Sequence, residues 1–186
     1  NGGGSLQEVN SLVGLFIKQG PTVQVRSTSG RIDLLGDSDS EVLYGGPLVV
    51  IVNRLSASAS EIFAGAIQDY NRGIIVGGQT FGKGTVQSLL PVDKGQLKLT
   101  LAKFYRVSGN SPQNRGVLPD IYFPESVDVE QIGESSLPEA LPWDQIRSAS
   151  YNPLAEIKSL IPKLTELHNQ RVKQNPEFHY LMERMK

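Results

Sequence analysis

The spacing of apolar residues changes several times along the chain, and each change predicts a new element. Leu6, Val9, Leu12, Val13 and Phe16 recur every three or four positions. That spacing predicts a helix from Leu6 to Lys18, stopped by Gly20-Pro21. "TVQVRS" alternates apolar and polar residues, and "RIDLLG" does so more loosely. Both predict strands, joined through Ser29-Gly30. "PLVVIVN" is an unbroken β-branched run, the pattern of a central strand covered on both faces. Helical spacing returns at Ala59, where Ile62, Phe63, Ala66, Ile67 and Tyr70 form one stripe that ends at Asn71 and Gly73. "GIIVGG" predicts another buried strand. After a glycine-rich loop, "TVQSLLPV" and "QLKLTLAKFYRV" predict two more, the second alternating at Leu97, Leu99 and Leu101. "SGNSPQNRG" predicts a loop.

The periodicity weakens after Pro124. Residues 125–152 are acidic, with scattered serine and proline, and predict a linker or a segment lying on the surface. Helical spacing resumes at Pro153, with Leu160, Leu164 and Leu167 on one face. "NPEF" restarts a helix, with Asn175 as N-cap and Pro176 in the first turn. Short apolar strands alternating with a helix place the chain in the α/β class. The expected organisation is a core over 1–124, a linker over 125–152 and a helical segment over 153–186. There is no internal repeat.

Composition narrows the chemistry. The chain of 186 residues is 39% hydrophobic and 20% charged, with a net charge of −1. It lacks the basic excess that binding to nucleic acid or an anionic membrane requires. No run reaches the ~20 apolar residues of a membrane span. The opening "NGGGSLQEV" reads as the start of a piece cut from a longer protein, so a missing targeting segment says nothing about location. Cysteine is absent, which excludes disulfides and thiol chemistry. His168 and His179 lie in the helical tail, and a Ser-His-Asp triad would need that tail to fold back. The H-E-x-x-H zinc pattern is missing, and neither metal nor cofactor is expected.

Two stretches carry candidate chemistry. "NRLSASASEIFAGAIQDYN" sets Ser56, Ser58 and Ser60 two residues apart where a buried strand turns into a helix. Serine is a preferred N-cap, and capping alone accounts for a hydroxyl there. The same place is also the carboxyl edge of a sheet and the positive end of a helix, where free amides hold an oxyanion well. "GGQTFGKGTVQ" sets Lys83 between Gly82 and Gly84. One reading is a solvated loop lysine. A second is a phosphate loop, since Gly77 to Lys83 fits G-x-x-x-x-G-K. Gly84 then stands where serine or threonine is needed, and the next segment is β-like rather than helical. A third is a Ser-Lys dyad, in which a lysine made neutral by burial takes the serine proton. Gln87 lies four residues beyond Lys83, on the same side of a strand. Its uncharged amide oxygen suits an amine that must stay neutral.

"NRLSASASEIFAGAIQDY", "GGQTFGKGTVQ" and "NRGVLPDI" together resemble the carboxyl-terminal processing peptidases over residues 1–124. "LPWDQI" and "HNQRVKQNPEF" resemble the helical tail of that family's periplasmic branch. The resemblance implies a Clp-protease/crotonase-like core with an α-helical C-terminal tail. It implies a serine endopeptidase acting near the C-terminal regions of proteins in the periplasm or envelope of a Gram-negative bacterium. It makes Ser58 the nucleophile, Lys83 the base and Gln87 the residue that orients the base. The amides of Ala59 and Gly4, with Gly3 as fallback, would form the oxyanion hole. Asp69 matches a further acidic position, read here as structural because it lies about three helical turns from Ser58. Protein or peptide tails are the implied partners, with a periplasmic adaptor as a further one. The family places a PDZ domain and a strand ahead of "NGGG", and neither is in this stretch. The rivals are an inactive fragment or non-catalytic module of the same fold, and a crotonase-like acyl-CoA enzyme, whose adenine and phosphate contacts are not apparent.

Overall fold

One helix holds two sheets together. The computed structural model describes residues 2–39, 41–154 and 157–185. Its elements in chain order are α1 (Leu6–Gly14), β1 (Val23–Ser27), β2 (Ile32–Leu35), β3 (Val49–Val52), α2 (Ala59–Asp69), β4 (Ile74–Gly77), β5 (Thr85–Val92), β6 (Gly95–Tyr105), β7 (Ile121–Tyr122), α3 (Ile161–Val172) and α4 (Pro176–Arg184). Strands β2-β1-β6-β5 form an antiparallel sheet, and β3-β4-β7 a parallel one. Parallel neighbours need a crossover, and α2 supplies it between β3 and β4.

The stripe predicted from the sequence explains how α2 sits between the sheets. Ala64, Ala66, Ile67 and Tyr70 pack with Val52 and Ile75 of the parallel sheet and with Val13 and Ile17. Ala59 and Ile62, at the other end of the helix, pack with Val9, Val23 and Phe104 against the antiparallel sheet. Each fully buried valine, isoleucine or phenylalanine among them contributes about 1.5–3 kcal/mol. The N-terminus of α2 is therefore fixed by the same packing that joins the sheets.

Three local expectations change within residues 1–124, and beyond them α3 begins at Ile161 rather than at Pro153. First, α1 ends at Gly14, short of Lys18, because the Leu15 carbonyl is taken by the amides of Leu43 and Tyr44. Second, β3 is an edge strand among the described residues rather than a central one covered on both faces. Val52 is buried beneath α2, whereas Ile51 is 82% and Val49 57% exposed. Uniform apolar composition hid a one-sided strand. Third, the alternation at Leu97, Leu99 and Leu101 is broken by an irregularity opposite Val86 and Gln87, where Val86 pairs with Ala102 and Gln87 with Thr100.

Residues 125–152 cross the surface without regular strands or long helices, held by buried polar groups. Arg54 is only 1% exposed. Its guanidinium donates to the carbonyls of Thr80 (2.6 Å), Val129 (2.9 Å) and Ile132. The Glu125 carboxylate accepts from the Arg54 backbone amide at 2.9 Å. Further along, the Asp144 carboxylate binds Arg26 at 2.6 Å, Tyr105 at 3.0 Å and Lys103. Trp143 donates to the Ser111 carbonyl at 2.9 Å while Arg115 stacks 3.6 Å from its ring centroid. The tail helices meet β7 through a cluster of Phe123, His168 and Phe178. His168 is buried there, and its pKa is lowered first by desolvation and then by Arg171.

Arg54→Ala should destabilise the protein by about 3 kcal/mol or more, because it leaves three carbonyls without their donor. Arg26→Ala, whose ion pair is one-third exposed, should cost less than about 1 kcal/mol. Urea unfolding of both variants measures the contrast. Limited proteolysis of Arg54→Ala should show faster cleavage between residues 125 and 134.

Candidate active site

The strand-to-helix turn separates the three serines. Ser56 is buried and its hydroxyl accepts from the Asn53 amide at 3.2 Å, closing the turn that leaves β3. Ser58 is the N-cap of α2 and has φ 57° and ψ −114°. A non-glycine residue in that left-handed region costs on the order of 1–3 kcal/mol. The sharp turn points Ser58 to one side of the helix start and Ser56 and Ser60 to the other. Ser58 lines a cavity of about 290 Å3 that also contains Gly4, Ala59, Lys83, Gln87 and Lys98. Ser56 and Ser60 line a separate cavity of about 350 Å3, with Glu8 and mostly apolar neighbours. Gly4 and Ala59 border both.

Gly3 and Gly4 belong to the loop ahead of α1, whose N-cap Ser5 accepts from the Glu8 amide. Gly3 has φ 108°, and a Cβ there would lie 3.0 Å from both the Ala57 carbonyl oxygen and the Ser58 Cβ. The loop therefore presses directly on the Ser58 turn. Ala59 is the first helical residue, a position whose amide has no partner within the helix.

The lysine loop lies where the chain leaves the parallel sheet for the antiparallel one, between β4 and β5. Gly82, at φ 90°, would put a Cβ 2.9 Å from the Asn114 backbone. The Asn114 amide donates to the Gly82 carbonyl at 2.8 Å, and the Gly84 amide donates to Gln113 at 2.9 Å. Lys83 is half-buried between them. Gln87 is exposed, and its amide nitrogen donates to the Thr100 hydroxyl at 3.3 Å. Among the described residues no hydrogen bond joins Gln87 to Lys83. Asp69 sits at the far end of α2, where it binds Arg106 at 2.6 Å and accepts from the Ser108 hydroxyl at 3.1 Å.

Sequence reasoning missed the residue that joins the two halves of this site. The buried Glu61 carboxylate accepts from the Ser58 amide at 2.8 Å, the Thr80 hydroxyl at 2.6 Å, the Gly82 amide at 2.7 Å and the Lys83 amide at 2.9 Å. The first contact is the reciprocal half of a capping box, and the pattern serine-x-x-glutamate was its sequence signal. The other three contacts tie the lysine loop to the serine turn. Burial lifts the Glu61 pKa from its ordinary 4.5 to about 7, against the opposing pull of the four donors. Among the described residues no cluster of three metal-ligating side chains occurs.

Comparison with known proteins now adds the lineage. Residues 1–123 match the family model described as peptidase family S41. The chain belongs to peptidase family S41. Residues 127–186 match a second model, the C-terminal domain of tail specific protease. The tail-specific protease of Haemophilus influenzae is 48% identical over 198 residues, covering all of this chain and 28% of that protein. The carboxy-terminal-processing protease of Bartonella bacilliformis is 43% identical over 127 residues, covering 65% of this chain and 28% of its own length. The chain thus spans a little over a quarter of these S41 relatives. Among solved structures, a photosystem II D1 C-terminal processing protease superposes with a TM-score of 0.61 at 35% identity, covering 69% of this chain and 34% of that one. The Clp-protease-like α/β core with added helices, expected from the sequence, is the S41 fold observed.

Glu61→Ala should leave four donors without an acceptor and destabilise the protein by more than about 3 kcal/mol. Glu61→Gln removes the titration and also turns an NH2 donor towards two of the four donors. That lowers stability by an amount that does not vary with pH, so only the pH dependence of the difference reports the titration. A folded pKa raised above the unfolded one means that the protonated form favours folding. The contribution is fully present below about pH 4.5 and is lost as pH rises through about 7. The stability of wild type minus that of Glu61→Gln, from urea unfolding at pH 4 to 8, should fall by about 3 kcal/mol across that window and then level off.

Proposed function

We propose that this chain carries the catalytic groups of a serine endopeptidase that cuts near the C-terminal regions of proteins through a Ser-Lys dyad. The observation that carries this is the partition of the serines. Ser58 alone of the three lines the cavity that holds Lys83, Gln87, Gly4 and Ala59. Membership of family S41 and the 48% identity to a tail-specific protease support the same reading.

In this mechanism Ser58 attacks the scissile carbonyl. Lys83, in its neutral form, takes the hydroxyl proton and returns it to the leaving amine. The Ala59 and Gly4 amides receive the negative charge on the tetrahedral oxygen, at the positive end of α2. Water then hydrolyses the acyl-enzyme, with Lys83 again taking and returning the proton. Gln87, whose amide nitrogen donates to Thr100, orients the amine through its amide oxygen. The site of action is the periplasm or cell envelope of a Gram-negative bacterium, in keeping with the Haemophilus relative. No helix among the described residues is long and apolar enough to cross a membrane.

In the full-length protein, Ser58→Ala should lower kcat/KM for an unfolded, tagged substrate by on the order of 10⁴–10⁶. Ser56→Ala and Ser60→Ala should retain measurable cleavage. Lys83→Arg should be as inactive as Lys83→Ala, because guanidinium does not give up its proton in this range. Near-native turnover by Lys83→Arg would remove lysine from the role of base. A dead Ser60→Ala with native folding would move the nucleophile.

A further inference from the structure

The cavity that holds Ser58 contains a second lysine, for which the chemistry above has no use. Lys98 lies on β6 opposite Leu89, and its neighbour on the same face is Thr100, which pairs with Gln87. Residues two apart on a strand share a face, so Lys98 and Gln87 project from the hairpin towards the same cavity, and both line it. Lys83 and Lys98 line that cavity and no carboxylate does, so with Lys83 acting as the neutral base Lys98 is its cation.

Lys98 differs from the other cation on its strand. Lys103 is tied to Asp144 and to the Pro142 carbonyl. Among the described residues Lys98 makes no ion pair, and it is exposed at the rim. An exposed ammonium takes a carboxylate without the desolvation cost that opposes a buried pair. The cavity on the other side of Gly4 and Ala59 has the opposite character, since Glu8 is its charged side chain and no lysine or arginine lines it. The sign of the charge therefore reverses across the place where the scissile carbonyl would sit.

We propose that Lys98 is a specificity residue of this site, binding a carboxylate on the part of the substrate that occupies the Lys83 side of the cavity. The proposal rests on the Ser58–Lys83 chemistry set out above, and it goes beyond it by naming a preference of the substrate. Two sources provide the same ligand chemistry: an aspartate or glutamate side chain close to the cut, or the terminal carboxylate of a chain that ends close to it.

The test uses the full-length protein in the Ser58→Ala background, so that binding is read without turnover. Labelled peptides of one sequence are compared in pairs by fluorescence anisotropy. One pair carries glutamate or glutamine at successive positions on either side of the cut, with an amidated end. The other pair is neutral and ends two residues past the cut, as a free acid or an amide. A carboxylate should tighten binding about two- to fivefold, the range of an exposed ion pair. In Lys98→Met that ratio should fall to about one. In Lys98→Glu it should invert, with lysine-bearing peptides favoured. Salt at 1 M should erase it, since charges are then screened over about 3 Å. A preference confined to the glutamate pair assigns the side chain, and one confined to the free acid assigns the chain end. A ratio of one in the Lys98 protein at low salt, for both pairs, overturns the proposal, as does a ratio that survives Lys98→Met. Hydrolysis of the same peptides with Ser58 intact tests the chemistry separately. Loss of Ser58-dependent cleavage would remove the proposed reaction and leave the binding ratio as the measure of Lys98.

Discussion

Two donor-rich turns face each other in this protein, and neither can satisfy the other. The start of α2 offers free amides, and so does the loop at Gly82 and Lys83. One N–H group cannot accept from another, so bringing the turns together requires a shared acceptor. Glu61 is that acceptor. Its position three residues into the helix lets it reach back to the Ser58 amide while its other contacts cross to the loop. Thr80 extends the arrangement. Its hydroxyl donates to Glu61 and accepts from the Val117 amide, and its carbonyl accepts from Arg54. A continuous polar path therefore runs from the Ser58 turn, through the interior, to the segment around Val129 and Ile132.

The other end of α2 is fixed as firmly. Asp69 holds Arg106 and Ser108, just beyond the end of β6. Gly65 stands mid-helix, where a Cβ would lie 3.3 Å from the Arg106 side chain, and its absence lets that side chain lie close against the helix. A mid-helix glycine costs roughly 0.5–1 kcal/mol relative to alanine, which sets a scale for the gain from the Arg106 contacts. With both ends held and both sheets packed along its length, α2 has little freedom to turn about its axis. The direction in which Ser58 leaves the helix is set by the whole core, not by the turn alone.

The parts of the fold that depend on nearby residues were legible in the sequence. The stripe from Ile62 to Tyr70 predicted α2, and glycines around Lys83 predicted a loop able to approach other backbone closely. Asn175 and Pro176 predicted the start of α4, and Asn175 does accept from the Phe178 amide. Features set by distant partners were not. Whether β3 is covered on one face or two depends on what packs there, and "VVIV" reads the same in both cases. The end of α1 depends on a loop nearly thirty residues away that takes the Leu15 carbonyl. Glu61 had a local signal, its spacing from Ser58, but three of its four partners lie across the fold. Within the candidate site, Lys83 stood out by its flanking glycines and the serines by their position at a strand-to-helix turn, but only the family resemblance chose Ser58 among the three. Gln87 was assigned by strand spacing, and the contact it makes here, to Thr100, is one that spacing alone did not single out.

The backbone of Ser58 bears on how this sequence can drift. At φ 57° a glycine would sit without the clash that a Cβ brings, and it would leave every amide contact to Glu61 in place. Judged by backbone conformation alone, glycine suits this position better than serine. A strained backbone at this serine fits the catalytic role proposed for it above. On the proposed chemistry, position 58 is a place where the backbone's preference and the reaction's need for a hydroxyl diverge.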